Sequence, residues 1–264
     1  MTWPILPGAE PRFYPGGPTG CLCLHGLTAS PHEVAWLAAD LAGRGCTVLA
    51  PRLAGHGTDP GDLARTRWRD WYASALDGWQ LLRAQCDRVV VCGLSMGALL
   101  ALRLAADQPV AGVAALAAPF VLRRPLTLPV VAALKWIRPY TDQTDRTDFP
   151  ERLRQEQARR GEPVLGRVRY SRWPTRAVEE LLRLTAEVEA SLPQVTAPVL
   201  AIYSQGDQTV APASLDSLRR GLRRAPLETL LLQHSDHILT QDAERQTVFD
   251  RLAAFIGAHG APQF

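Results

Sequence analysis

The stretch VVVCGLSMGA, Val89 to Ala98, sets a serine between two glycines where an apolar run ends and a helical pattern begins. A buried strand has no use for Gly-Leu-Ser-Met-Gly, and both glycines would weaken a helix interior. The pentapeptide therefore predicts a sharp strand-to-helix turn, with Ser95 in a strained conformation and its hydroxyl thrust into a crevice. Gly93 and Gly97 remove the side chains that would collide at such an elbow. The amide of Met96 opens the helix and points at the same spot.

The rest of the chain supplies the sheet that this turn requires. GCLCLH (Gly20 to His25), CTVLA (Cys46 to Ala50), RVVVC (Arg88 to Cys92), AGVAALAAP (Ala111 to Pro119), APVLAIYS (from Ala197) and LETLLL (Leu227 to Leu232) read as strands. Helical patterns stand between them. Over Ser30 to Gly45, Ser30 is a candidate N-cap with Pro31 at N1 and Glu33 closing a capping box. Trp68, Trp71, Tyr72, Ala75, Leu76, Trp79 and Leu82 mark a helix whose aromatic stripe reads as core. Met96 to Ala106, Pro212 to Arg223 and Ala243 to Ala258 are further helices. Strands alternating with helices imply an α/β fold with a mostly parallel sheet covered on both faces. After Phe120 the alternation stops. The expected organisation is a core over 1–119 and 193–264, with a helical cap inserted over 120–192 at the carboxyl ends of the strands, where ligands bind in such sheets.

Composition agrees and excludes some classes. A chain of 264 residues with 47% hydrophobic residues can bury one large α/β core. The net charge of +3 is modest and carried almost wholly by scattered arginines, Lys135 being the only lysine. Pairs such as Arg123-Arg124 read as solvated faces, not a nucleic-acid footprint. MTWPILPGAEPRFYPGG lacks the charge and apolar run of a signal peptide, and no apolar run is long enough for stable membrane insertion. Five cysteines, Cys21, Cys23, Cys46, Cys86 and Cys92, show no CxxC spacing. They read as small buried hydrophobes of a cytoplasmic protein. Asp142, Asp145 and Asp148 lack the Gly-centred spacing of a calcium loop and read as turn residues. No metal and no cofactor is expected.

A serine hydroxyl is a poor nucleophile at neutral pH and needs a base oriented by a carboxylate. On a nucleophile elbow the expected order is Ser, acid, His. Asp207 follows the strand PVLAIYS, and His237 follows LETLLLQ, so both reach the sheet edge that carries Ser95. His234 competes with His237 as the base. A second oxyanion donor is expected from the LHGLT turn, at the amide of Leu27. His25 reads as orienting that turn, and His56 as pinning the loop after the Cys46 strand.

LHGLTASPHEV, PRLAGHGTD, DWYASALDGW, GLSMG, GDQTVAP and SDHILT resemble, in order and spacing, the bacterial carboxylesterases and monoacylglycerol lipases of the α/β-hydrolase superfamily. The resemblance runs from about Pro7 to the last helix and is weakest in the insertion. It implies Ser95, Asp207 and His237 as a catalytic triad, Leu27 and Met96 as oxyanion-hole amides, and a cap that forms part of an acyl pocket. Two departures stand out. Asp236 precedes the catalytic histidine where many relatives have Gly, and is placed to perturb its pKa. The acidic cap residue that binds glycerol in monoacylglycerol lipases has no counterpart in GRVRY, which carries Arg167 and Arg169, and Glu162 is the nearest carboxylate. Trp136 with Leu126, Leu128, Val130, Val131 and Leu134 reads either as acyl-pocket lining or as cap packing. The expectation is a serine ester hydrolase for short- to medium-chain acyl esters. A monoacylglycerol lipase, or a non-catalytic ligand-binding protein on the same scaffold, are the rival readings.

Overall fold

The computed structural model describes residues 3–124, 127–143 and 147–260. Leu126 and Asp145, singled out above, lie outside them. In chain order the elements are β1 (Arg12–Tyr14), β2 (Thr19–Leu24), a 3-10 turn (Pro31–Val34), α1 (Ala35–Gly43), β3 (Thr47–Ala50), α2 (Pro60–Arg65), α3 (Trp68–Arg83), β4 (Arg88–Leu94), α4 (Met96–Asp107) and β5 (Gly112–Leu116). Then come α5 (Leu128–Ile137), β6 (Tyr140–Asp142), α6 (Phe149–Arg159), β7 (Arg172–Pro174), α7 (Thr175–Ser191), β8 (Val199–Ser204), α8 (Ser214–Gly221), β9 (Leu227–Leu232) and α9 (Arg245–Gly260).

Seven strands form one sheet in the order β1-β3-β2-β4-β5-β8-β9. Only β1 runs antiparallel, against β3. The apolar runs are long because both faces of the sheet are covered. Along β4, Val89 and Val91 enter one core cluster with α3, α4 and α7, while Val90, Cys92 and Leu94 enter the other with α1 and α9. On β2, Leu22 and Leu24 go one way, Cys21 and Cys23 the other. All five cysteines are buried free thiols.

The parallel strands all end at one edge, so the loops after β2, β4, β8 and β9 meet there. This is the expected α/β fold, with differences in detail. The capping box at Ser30 does not form. Ser30 makes no capping bond, Pro31–Val34 is a 3-10 turn, and the α-helix starts at Ala35. The reason is competition: the Ser30 hydroxyl donates to Val168 O at 2.8 Å, and the Glu33 carboxylate accepts from the Gly26 amide at 2.8 Å. Within PRLAGHGTDPGD, read as loop, α2 forms because Asp59 caps Gly61 N with Pro60 in the first turn. The edge strand β1 and the small antiparallel β6–β7 ribbon were also not read, since three-residue strands carry no periodicity.

Among its described residues the 120–192 segment holds three helices and this ribbon. Residues 121–123 ladder against 209–211 through Ala211 N to Val121 O and Arg123 N to Thr209 O. No helix among the described residues is long and apolar enough to cross a membrane.

The aromatic stripe of α3 is core, as read. Trp71 and Trp79 are fully buried. Trp71 donates Nε1–H to Thr66 Oγ1 at 2.9 Å and meets the edge of His56. Trp71→Ala removes a fully buried indole that bonds Thr66 and meets His56. We expect a loss of about 3–5 kcal/mol of unfolding free energy, measured as a drop in the urea midpoint at unchanged m-value.

Candidate active site

The elbow forms from close backbone contact. Ser95 has φ 57° and ψ −118°, in the region that L-residues avoid. A methyl group on Gly93 would lie 2.1 Å from Gly97 O, and one on Gly97 would lie 2.2 Å from Leu24 O. Neither position admits a side chain, so the end of β2 and the start of α4 pack backbone to backbone. The Ser95 amide donates to Leu116 O at 2.8 Å, tying the elbow to β5 as well.

Around Ser95 the strand ends deliver the other side chains. Ser95 Oγ lies 3.0 Å from His237 Nε2, and His237 Nδ1 lies 2.8 Å from Asp207 Oδ2. Asp207 is 1% exposed, and its Oδ1 accepts the Thr209 and Val210 amides at 2.7 and 2.8 Å. Burial pushes this carboxyl upward, but the imidazole and those amides outweigh it, so it titrates below the ordinary aspartate range. For His237 burial favours the neutral ring, and the charges of Asp207, then Glu33, then Asp236 outweigh it, leaving its pKa above the usual 6.5. His234 is exposed, and its amide donates to Glu244 Oε2 at 2.9 Å, away from Ser95.

Asp236 has a structural task. Its Oδ1 accepts the amides of His237 (2.7 Å) and Gln208 (3.0 Å), clamping the histidine loop to the Asp207 loop. Arg123, read as a solvated charge, is instead bound to that loop: Nε donates to Asp207 O and Nη2 to Gln205 O. Sequence alone gave no signal for it, because the contact depends on the strap at 121–123.

The LHGLT turn lies against Ser95. A methyl group on Gly26 would come 3.5 Å from Ser95 Cβ, which brings Leu27 beside the serine. Met96 opens α4 directly after it. His25 is fully buried; its Nε2 accepts Leu53 N–H at 3.2 Å and its Nδ1 donates to Gly26 O at 2.9 Å. Burial lowers its pKa to about 4, so the ring stays neutral. His56 holds its own loop through Nδ1 to Ala54 O at 3.0 Å, and burial lowers its pKa strongly. Thr28, at φ 63°, is held by Tyr170 N to its carbonyl (3.0 Å) and by Gln143 Nε2 to its hydroxyl (2.8 Å).

The apolar residues of α5 do not line an enclosed pocket together. Val131 is 2% exposed and Leu128 half-buried, but Leu134 is 37% and Trp136 83% exposed. A ten-residue helix, apolar at most positions, can bury only one face, and Trp136 stands on the other under Lys135. Glu162 is also occupied. Its Oε2 accepts Trp36 Nε1–H and its Oε1 accepts Arg160 Nε–H, each at 2.8 Å.

Comparison with known proteins places the fold. The model of the alpha/beta hydrolase family matches residues 21–251. The chain is 33% identical over 258 residues to a thermostable monoacylglycerol lipase of Bacillus sp. (strain H-257), covering 97% of this chain and 98% of that protein. It is 24% identical to a carboxylesterase of Bacillus subtilis (strain 168), covering 94% and 96%. A solved structure from work on two metagenome-derived lipolytic enzymes superposes with a TM-score of 0.86 at 30% identity, covering 97% of this chain and all of that one.

The charges around His237 give a direct test. Its imidazole should titrate above 6.5. In Asp207→Asn the main opposing charge is gone while burial remains, so the value should fall from that of the wild type. Side-chain nitrogen NMR against pH checks both.

Proposed function

The chain belongs to the alpha/beta hydrolase family, and on that premise we propose that it is a serine carboxylic-ester hydrolase acting on short- to medium-chain acyl esters. The observation that carries the reading is the hydrogen-bonded line from Ser95 Oγ through His237 to Asp207, at 3.0 and 2.8 Å. Ser95 is the nucleophile. With Nδ1–H donated to Asp207, Nε2 of His237 is the acceptor for the serine proton. Ser95 Oγ attacks the ester carbonyl as that proton moves. The amides of Leu27 and Met96 receive the oxyanion, where fixed donors act without reorganisation. The imidazolium then protonates the leaving alcohol oxygen, leaving an acyl-enzyme. Water, deprotonated by His237, attacks this ester in turn, and the acid departs with Ser95 restored.

Residues 120–192 act as a cap over this site. The segment 167–170 lies directly on the oxyanion turn, through Tyr170 N to Thr28 O and Ser30 Oγ to Val168 O. So close a cover favours modest acyl chains. The second reading, monoacylglycerol hydrolysis, is favoured by the similarity to the Bacillus monoacylglycerol lipase. Against it, Glu162 is spent on Trp36 and Arg160, and the half-buried stretch over the site carries Arg167 and Arg169.

Ser95→Ala should abolish ester turnover in a folded protein, and a serine-directed phosphonate should label Ser95 alone. His237→Ala should cost far more than His234→Ala. Asp207→Asn should cost about four orders of magnitude in kcat, as loss of the imidazole tautomer does in a serine protease. Asp236→Asn keeps a carbonyl acceptor for both amides and should cost far less. Retained activity in Ser95→Ala with labelling elsewhere would sink the mechanism.

For the substrate, kcat/KM on a medium-chain ethyl ester should match or exceed that on the monoacylglycerol of equal chain, both below their micellar concentrations. A site that binds hydroxyls through placed polar partners discriminates by orders of magnitude. A strong preference for the monoacylglycerol would therefore reverse the order of the two readings.

A further inference from the structure

The peptide that carries the Leu27 amide is gripped from its other end. A peptide unit is planar and trans, so the Gly26 carbonyl and the Leu27 N–H point in opposite directions from one plane. His25 Nδ1 holds that carbonyl at 2.9 Å. The preceding peptide is held too: the Gly26 amide donates to Glu33 Oε2 at 2.8 Å. Both planes flanking the Gly26 α-carbon are thereby fixed by buried side chains. A methyl group on Gly26 would meet Glu33 Oε2 at 2.9 Å and Ser95 Cβ at 3.5 Å, so the glycine is sandwiched between this carboxylate and the serine.

Loop anchoring alone needs only a neutral acceptor. Glu33 is a buried acid, 8% exposed, and an unpaired buried charge costs several kcal/mol. The charged groups that face it are Arg167 and Arg169 from the segment above and His237 from the loop after β9. Burial raises its carboxyl, and the two guanidiniums, the Gly26 amide and the imidazole act against that rise. Seen from His237, the facing negative groups are Asp207, Glu33 and Asp236.

We propose that Glu33 is a positioning residue for the reaction: its carboxylate holds the Gly26 peptide so that the Leu27 amide meets the oxyanion, and its charge, facing His237, stabilises the imidazolium formed in the same step. The inference rests on the serine-hydrolase reading above. It accounts for the acid at position 33, which leaves its own helix start uncapped in order to reach the loop.

The test is a pair of variants, Glu33→Gln and Glu33→Ala, assayed on a medium-chain ethyl ester from pH 4 to 9. The kcat is normalised to phosphonate-labelled Ser95, so that misfolded protein does not count. Glu33→Gln keeps the acceptor for Gly26 N–H and removes the charge. Its plateau kcat should stay within about tenfold of wild type, while the acid limb of kcat/KM moves down by about half a pH unit or more. Glu33→Ala removes the acceptor, and its normalised kcat should fall about 10- to 100-fold with KM within about threefold, as for a misaligned oxyanion donor.

A structural residue would lower Tm and the labelled fraction, but would leave both readouts unmoved. An unmoved acid limb in Glu33→Gln overturns the proposal, as does an unchanged normalised kcat in folded Glu33→Ala. If Glu33→Ala does not fold, the limb of Glu33→Gln decides alone. Absence of ester turnover or Ser95 labelling in the wild type would instead overturn the parent reading.

Discussion

The contact between Gly97 and the last carbonyl of β2 is the constraint on which the site depends. With no room for a methyl between residue 97 and Leu24 O, the start of α4 lies directly on the end of β2. Ser95 then has to sit at the outer corner of the elbow, in a strained conformation that neighbouring backbone imposes. The turn after β2 has to pass beside it. Ser95 and the LHGLT turn are therefore brought together by packing of main chain, the least adjustable material in the protein. The strain at Ser95 is of order 1–3 kcal/mol. It is offset by the two-sided burial of β2 and β4, where single side chains contribute about 1.5–3 kcal/mol each.

His237 and Asp207 are held in a looser way, by electrostatics. His237 sits among carboxylates of different duty. Asp207 faces Nδ1 and is itself fixed by two amides. Asp236 spends its lone pairs on the amides of His237 and Gln208, so it aligns the two loops. Arg123 neutralises the carbonyl edge of the Asp207 loop from the other side. The balance tips the imidazole toward its charged form without protonating Asp207. On the serine-hydrolase reading proposed above, that is the environment a base needs if it is to be charged transiently in the transition state.

The parts of this design that were legible in the sequence are those written in local pattern. The strands β2, β4, β5, β8 and β9 are apolar runs with no competing period, and GLSMG names its own geometry because only glycine fits at 93 and 97. Asp207 and His237 could be read from their place after strands. What was not legible depends on partners far away in the chain. Ser30 and Glu33 have the local form of a capping box, but Val168 and Gly26 take both side chains. Arg123 looks like any surface arginine until the strap beside Thr209 exists. The α5 stripe is apolar enough for a pocket, and only the packing decides that Val131 is inside and Trp136 outside. The α2 helix could have been found, since Asp59-Pro60 repeats the cap-then-proline signal used at Ser30-Pro31.

The 167–170 segment and the LHGLT turn are one mechanical unit. Tyr170 donates its amide to Thr28 O and its hydroxyl to Gly55 O, and receives the Thr58 amide. Val168 accepts the Ser30 hydroxyl, and Gln143 reaches the Thr28 hydroxyl. Thr28 is β-branched and at positive φ, a conformation it would leave if released. At about 1 kcal/mol for each hydrogen bond, lifting the 167–170 segment costs several kcal/mol and also frees Thr28 to relax. Farther out, Trp36 to Glu162, Arg152 to Asp242 and Arg245 to Glu156 fasten the same side of the cap to the core. On the outer face of α5, Val130, Trp136 and Ile137 stand more than half exposed, while Lys135 ties the helix to Glu179 of α7. The 120–192 segment is thus tied to the core where it touches the LHGLT turn, and α5 is fastened within it, to α7.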